Sequence, residues 1–191
     1  MTTVSIIGNG NMGTAIGGIV TAGGNNVEFI GREADAAISG DIVVFAVGYP
    51  AVADVIATHG DKLAGKVVVD ITNPLNFETF DSLVVPADGS AAAVIAEALP
   101  TSRVLKAFNT NFAATLAGNT VGGNAATTVH IAGDDADAKA LLGSVLQAGG
   151  VASVDAGALT RARELEAIGF LQLTLAVQEK IGWNAGFALI K

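Results

Sequence analysis

Three glycines at fixed spacing are the first residues in this chain that could do chemistry: Gly8-Asn9-Gly10-Asn11-Met12-Gly13 spells G-x-G-x-x-G. The apolar run Val4-Ser5-Ile6-Ile7 precedes it, and Thr14 to Ala22 after it has small and branched apolar residues at helical spacing. Between a strand and a helix the pattern has a mechanical meaning. The first glycine makes the tight turn, the second lets the backbone approach a pyrophosphate, and the third lets the helix pack close to the strand. The helix N-terminus then points its free N–H groups at the phosphates. Gly8, Asn9, Gly10, Asn11, Met12 and Gly13 are therefore expected to bind a dinucleotide.

The second apolar run, Asn26 to Ile30, ends in Gly31-Arg32-Glu33. NAD-binding units place an acidic residue about 20 residues beyond the glycine motif, on the ribose hydroxyls. Here Gly31 and Arg32 leave the strand, and a guanidinium suits a 2′-phosphate. NADP(H) is the expected cofactor. Glu33 is the competing candidate for a ribose contact, and Glu28 reads as a solvated or edge position.

Three more loops follow apolar runs: Ala46-Val47-Gly48-Tyr49-Pro50, Thr72-Asn73-Pro74-Leu75 and Ala107-Phe108-Asn109-Thr110. The first is a Gly-Pro turn able to wrap a flat ring. Asn73 and Asn109 could hydrogen-bond a carboxamide or ribose, and Tyr49 could stack on a ring, meet substrate or transfer a proton. Acid/base residues are scarce. His59 reads as an exposed helix end, and His130, inside Val129-His130-Ile131, as a satisfied strand residue. Hydride exchange between two rings needs orientation and water exclusion more than an acid/base pair, so the scarcity fits cofactor-to-cofactor transfer.

The elements that must position these loops alternate. Strand-like runs recur at residues 41–47, 66–71, 103–107, 127–132 and 151–155, with helix-like stretches at 51–58, 90–99 and 136–147. Continuous Val/Ile/Ala runs suit parallel strands covered on both faces. The expected fold is α/β: a Rossmann-like, doubly wound, mainly parallel sheet with a C-terminal helical segment. Residues 31–40 leave room for a single helical turn at most, so the connection between the second and third strands is shortened. One domain is expected over residues 1–191, with the Rossmann core at 1–156 and the C-terminal helix and tail at 157–191. A helical pattern from Leu159 to Ile181 offers Leu165, Ile168, Leu171, Leu175 and Val177 as an apolar face. Arg161, Arg163, Glu164 and Glu166 read as surface pairs at its start.

Among 191 residues there is no cysteine, which excludes disulfides, thiolate catalysis and cysteine-held metals, and no metal-ligand spacing appears. The net charge of −8 disfavours nucleic acid and anionic membrane partners. The N-terminus lacks a basic region before its first apolar run, which argues against a signal peptide, and the cytoplasm is the expected compartment.

Taken together, the glycine motif, Gly31-Arg32, Asp70-Ile71-Thr72-Asn73-Pro74-Leu75, Lys106-Ala107-Phe108-Asn109-Thr110 and the late Asp155-Ala156-Gly157 resemble the coenzyme F420-dependent NADP oxidoreductase family over nearly the whole chain. The chain is also similar to the NADPH-binding domain of STEAP-type ferric reductases. The resemblance implies a Rossmann fold, NADP(H), a homodimer, and hydride exchange with a deazaflavin (F420) or a flavin stacked on the nicotinamide. The chain departs in its short 31–40 connection and in lacking a clear basic patch for the anionic tail of F420, so a small reducible substrate stays open as the acceptor. A non-catalytic NADP(H)-binding sensor is the alternative.

Overall fold

A computed structural model describes residues 1–31, 33 and 35–190. The chain begins β1 (Thr3–Ile7), α1 (Asn11–Ala22), β2 (Asn26–Ile30), β3 (Ile42–Phe45), α2 (Val52–His59) and β4 (Val67–Asp70). It continues α3 (Ala91–Ala98), β5 (Arg103–Lys106), α4 (Ala113–Gly118), and a small hairpin of β6 (Thr120–Val121) and β7 (Ala125–Ala126). The last elements are β8 (Thr128–Gly133), α5 (Ala136–Ala148), β9 (Ala152–Gly157) and α6 (Ala162–Val177).

Seven strands form one sheet in the order β2-β1-β3-β4-β5-β8-β9. All neighbours run parallel except β5 and β8. β3 (Ile-Val-Val-Phe) and β4 (Val-Val-Val-Asp) are buried throughout, as strands covered on both faces must be. Their alternate side chains feed two cores. Val44, Val69 and Leu105 pack under α1, α4 and α5; Val43, Phe45, Val68 and Val104 pack under α2 and α3. The chain leaves β1 in opposite directions to reach β2 and β3, so the crevice at the β1/β3 C-termini is the switch point where such sheets bind ligands.

Between β2 and β3 the described residues contain a turn and no helix. Glu28 makes this short cut possible. Its carboxylate accepts from Ser39 N at 2.7 Å, Ser39 Oγ at 2.8 Å and Gly40 N at 3.1 Å, and from the Ser5 hydroxyl on β1. The edge position expected for Glu28 holds, but the residue is a clamp rather than a solvated charge. Burial opposes its ionisation, and the bonds from Ser5, Ser39 and Gly40 outweigh that and hold the carboxyl below its ordinary range.

α6 differs from expectation in length and in facing. A 3₁₀ turn over Leu159–Arg161 leads into it, and it stops at Val177. Glu179 takes a left-handed φ of 57°, and Lys180 N returns to Leu175 O at 2.9 Å, a helix-ending geometry. The buried face is Ala162, Leu165, Glu166, Gly169, Gln172 and Ala176. Of the expected apolar face only Leu165 is inside; Ile168, Leu171 and Val177 are exposed. A Cβ on Gly169 would lie 2.2 Å from Asn73 Oδ1 and 2.9 Å from Asn109 O, so a bulkier residue there could not approach these loops. Among the described residues no helix is long and apolar enough to cross a membrane.

Candidate functional site

The glycine turn divides its labour as its spacing predicts. Gly8 has φ of 108°, and a Cβ there would lie 2.4 Å from Ala46 O. A Cβ on Gly13 would lie 2.2 Å from Gly8 O. Both positions are closed to any other residue by the fold itself. Gly10 is different: a Cβ there would meet nothing within 4 Å. Directly behind it α1 begins, with no side-chain cap and no acidic residue in its first turn. Of the other helices, α3 and α5 are capped by Ser90 and Asp135, which accept from Ala93 N at 3.0 Å and Ala138 N at 2.7 Å, while α2, α4 and α6 carry no side-chain cap. The first N–H groups of α1 therefore have no side-chain partner among the described residues. A helix end of this kind suits an anion.

At the end of β2, Glu28 is consumed by its clamp. Glu33 is exposed, with its carboxylate folded over the Gly31 backbone. Arg32, the residue expected at a 2′-phosphate, lies outside the described residues.

The loops after β4 and β5 are joined by their asparagines. Asn73 Nδ2 donates to Asn109 O at 2.9 Å, while Asn109 Nδ2 donates to Asn73 Oδ1 at 2.9 Å and to Leu165 O of α6 at 2.8 Å. Three elements meet at one side-chain amide. Phe108 carries the tight turn before it, with φ of 63° and Asn109 N bonded to Ala107 O at 2.8 Å. A phenylalanine in that region is strained, and buried packing holds it there. With both donor sites of Asn109 used, its Oδ1 is buried without a partner. Asn111 repeats the pattern: Nδ2 donates to Thr128 O at 3.2 Å, and its Oδ1 is buried and unpartnered.

Both free oxygens belong to residues lining one cleft of about 930 Å³, a size suited to small-molecule ligands. It starts beside Asn11 and Met12 at the head of α1, takes in Asn73 and Asn109, and runs between α1 and α4 to Trp183. None of the residues lining it is ionisable. Val47 and Tyr49 are not in its wall. They pack against the core on the α2/α3 face, where residues 49–51 form a 3₁₀ turn. Pro74 is buried behind Asn73.

Under this site lies a charged cluster that the sequence reading missed. Lys106 Nζ is 2.7 Å from Asp70 Oδ2, 2.8 Å from Glu166 Oε1 and 2.6 Å from Thr72 O, and all three ionisable side chains are buried. Glu166 also accepts from Ala91 N at 3.0 Å, at the head of α3. It is not the surface charge expected; among its neighbours, Arg161 and Glu164 do form an exposed pair at 3.1 Å. A signal was present. Asp70 and Lys106 each end an otherwise apolar run, and they are register neighbours on β4 and β5. Burial pushes the Glu166 carboxyl up, with Lys106 opposing. Burial also raises the Tyr49 phenol, reinforced by Glu166 and Asp70, so Tyr49 stays protonated at neutral pH.

His130 is a half-buried strand residue whose Nδ1 lies 3.3 Å from Thr110 Oγ1, and burial lowers its pKa, keeping it neutral. His59 is buried rather than exposed. It ends α2, which carries the chain back to the N-terminal edge of the sheet, away from the site.

A family model described as NADP oxidoreductase coenzyme F420-dependent matches residues 26–74. The F420-dependent NADP reductase of Methanocaldococcus jannaschii is 32% identical over 162 residues, which cover 82% of this chain and 72% of that one. The metalloreductase STEAP3 of Rattus norvegicus is 33% identical over 134 residues, 70% of this chain but 26% of STEAP3. An Arthrobacter sp. FB24 crystal structure, to which an F420-dependent NADP-reductase role is attributed, superposes with a TM-score of 0.84 over 100% of both chains at 24% identity. That likeness speaks for the fold alone.

Proposed function

The chain belongs to the coenzyme F420-dependent NADP oxidoreductase family, and on that premise we propose that it binds NADP(H) and exchanges hydride between the nicotinamide and a planar acceptor. The observation that carries the reading is the pairing of an uncapped α1 N-terminus, open in front of Gly10, with Asn109, a residue of the same cleft wall whose amide oxygen is buried without a partner. On this reading an anion seat takes the pyrophosphate at the middle of the cofactor and an amide acceptor takes the nicotinamide end. Gly8 to Gly13 hold the pyrophosphate, and Gly31-Arg32 meet the 2′-phosphate. Ala46 to Gly48 border the crevice at the switch point. Asn109 Oδ1 takes an N–H of the carboxamide, and Asn73 locks the Asn109 amide so that this oxygen faces inward.

When bound, NADPH supplies the hydride. The protein's part is orientation and exclusion of water by apolar walls, for which no acid/base side chain is required. Phe108 and Pro74 support the two asparagines from behind, and Tyr49, kept protonated, packs beside the charged cluster. The closing measurement is NADPH oxidation with F420, FMN, FAD and riboflavin, beside direct NADPH titration. Tight NADPH binding with no turnover on any acceptor overturns the oxidoreductase reading in favour of a sensor. In a single-turnover assay Asn109→Ala should slow hydride transfer about tenfold or more while NADPH affinity changes little, since a misplacement of about 1 Å can cost roughly a hundredfold.

A further inference from the structure

The buried cluster of Asp70, Lys106 and Glu166 is saturated with hydrogen bonds and unbalanced in charge. The ammonium of Lys106 has three acceptors for its three protons: Asp70 Oδ2, Glu166 Oε1 and Thr72 O. Asp70 Oδ1 accepts from Thr72 N at 2.8 Å, and Glu166 Oε2 accepts from Ala91 N at 3.0 Å. Each carboxylate oxygen therefore meets a donor. Burial raises the Glu166 carboxyl, yet a proton on it would have to displace one of these donors, so the geometry keeps both acids ionised near neutral pH. Two carboxylates against one ammonium leave one net negative charge, closed off from water.

That charge lies directly beneath the asparagine pair. Asp70 and Lys106 end β4 and β5, and Asn73 and Asn109 each follow three residues later. Three residues of chain span at most about 11 Å. Glu166 follows Leu165, whose carbonyl takes the Asn109 amide. Among the described residues none that lines the cleft is ionisable, so nothing in its wall offsets the cluster. Resting on the reading that places the nicotinamide at Asn109, we propose that Asp70, Lys106 and Glu166 set the redox preference of the site, their net negative charge favouring bound NADP⁺ over bound NADPH. The two forms carry the same phosphates, on which the cluster acts alike, and differ by the positive charge of the oxidised ring. That charge develops as the C4–H bond breaks and the hydrogen leaves with its electron pair for the acceptor, and a preorganised negative field stabilises it. All three side chains are closed to solvent, so they act through this field and not by contact.

The test is direct titration of NADP⁺ and NADPH, which needs neither an acceptor nor turnover. Wild type should bind NADP⁺ at least as tightly as NADPH. Glu166→Gln and Asp70→Asn each cancel the net charge, and each should raise the ratio of the NADP⁺ Kd to the NADPH Kd by about tenfold, the scale of one unit charge at that range inside a protein. Glu166→Asp keeps the charge and should keep the wild-type ratio. A variant that merely loosens the fold weakens both forms alike and leaves the ratio where it was. Tighter binding of NADPH than NADP⁺ by wild type would overturn the proposal while NADP(H) binding stands. So would a ratio that neither neutral variant moves, or one that Glu166→Asp moves as far as Glu166→Gln does. A ratio that shifts as expected, in a protein that oxidises NADPH with no acceptor, would keep the charge effect and sink hydride transfer. Failure of wild type to bind either form would sink the cofactor reading and this proposal with it.

Discussion

Replacing Lys106 by methionine removes a charge while nearly keeping the shape of its stem, and should be among the costliest single changes in this fold. Lys106 Nζ is held between Asp70 at 2.7 Å and Glu166 at 2.8 Å, and donates to Thr72 O at 2.6 Å, with no solvent access. Removing one partner of a buried ion pair costs about 3–5 kcal/mol, because the other charge is left uncompensated. Here two carboxylates and a carbonyl lose the same partner, which puts the loss near the top of that range. For a chain of this size that is a melting temperature lower by roughly 8–20 °C. The pH dependence identifies the cause. Burial already holds the Glu166 carboxyl above its ordinary value while Lys106 pulls it down, so removing Lys106 lets it rise further. The folded variant then binds protons that the unfolded chain releases, and its stability falls as pH rises above the ordinary carboxylate range. Each proton retained contributes a slope of about 1.4 kcal/mol per pH unit. The deficit against wild type should therefore be small near pH 4.5 and full near pH 7.5, as measured by urea unfolding at both. Glu166→Gln leaves the Lys106–Asp70 pair but sets an amide NH2 against the Ala91 N–H or the Lys106 ammonium, and should cost about 1–3 kcal/mol, less than Lys106→Met. A deficit in Lys106→Met below about 1 kcal/mol at neutral pH, or one that does not change with pH, would refute the counter-charge reasoning.

Other outcomes follow from the same geometry. Gly10→Ala should leave thermal stability almost unchanged, since its Cβ meets nothing in the chain, yet weaken NADPH by about tenfold or more as seen by titration; loss of folding would show that the space belongs to the fold. Wild-type protein should bind NADPH about tenfold more tightly than NADH, a preference that Arg32→Ala erases; equal wild-type affinities would remove Arg32 from the site. Light scattering at micromolar concentration should give a homodimer, because α6 exposes Ile168, Leu171 and Val177 and the tail adds Trp183 and Phe187. Leu171→Glu should shift that mass to the monomer, and a monomeric wild type would contradict the assignment.

What could be read from the sequence, and what could not, separates along a physical line. The glycine turn was legible because its demands are local: the φ of Gly8 and the contact between Gly13 and Gly8 O are fixed within six residues of chain. β3 and β4 were legible because burial on both faces leaves no polar position to confuse the pattern. The facing of α6 was not, because apolar periodicity reports which side would avoid water, and here hydrogen bonds decided instead. Glu166 reaches Lys106 and Ala91, and Gln172 donates to Thr110 O at 3.2 Å while accepting from Phe187 N at 3.0 Å. Those partners lie far away in sequence, and Gly169 lets the helix come close enough to meet them. The consequence bears directly on the site. Asn109 was identifiable as a candidate by its place after an apolar run, but its free oxygen arises only because Leu165 O and Asn73 Oδ1 together occupy both donors of its amide. The polar face of α6 therefore does more than anchor a helix. By using up the nitrogen of Asn109, it leaves a buried acceptor without a partner in a residue of the cleft wall, and a substitution on α6 that touches no ligand, at Gly169 above all, should reorient that amide and weaken cofactor positioning.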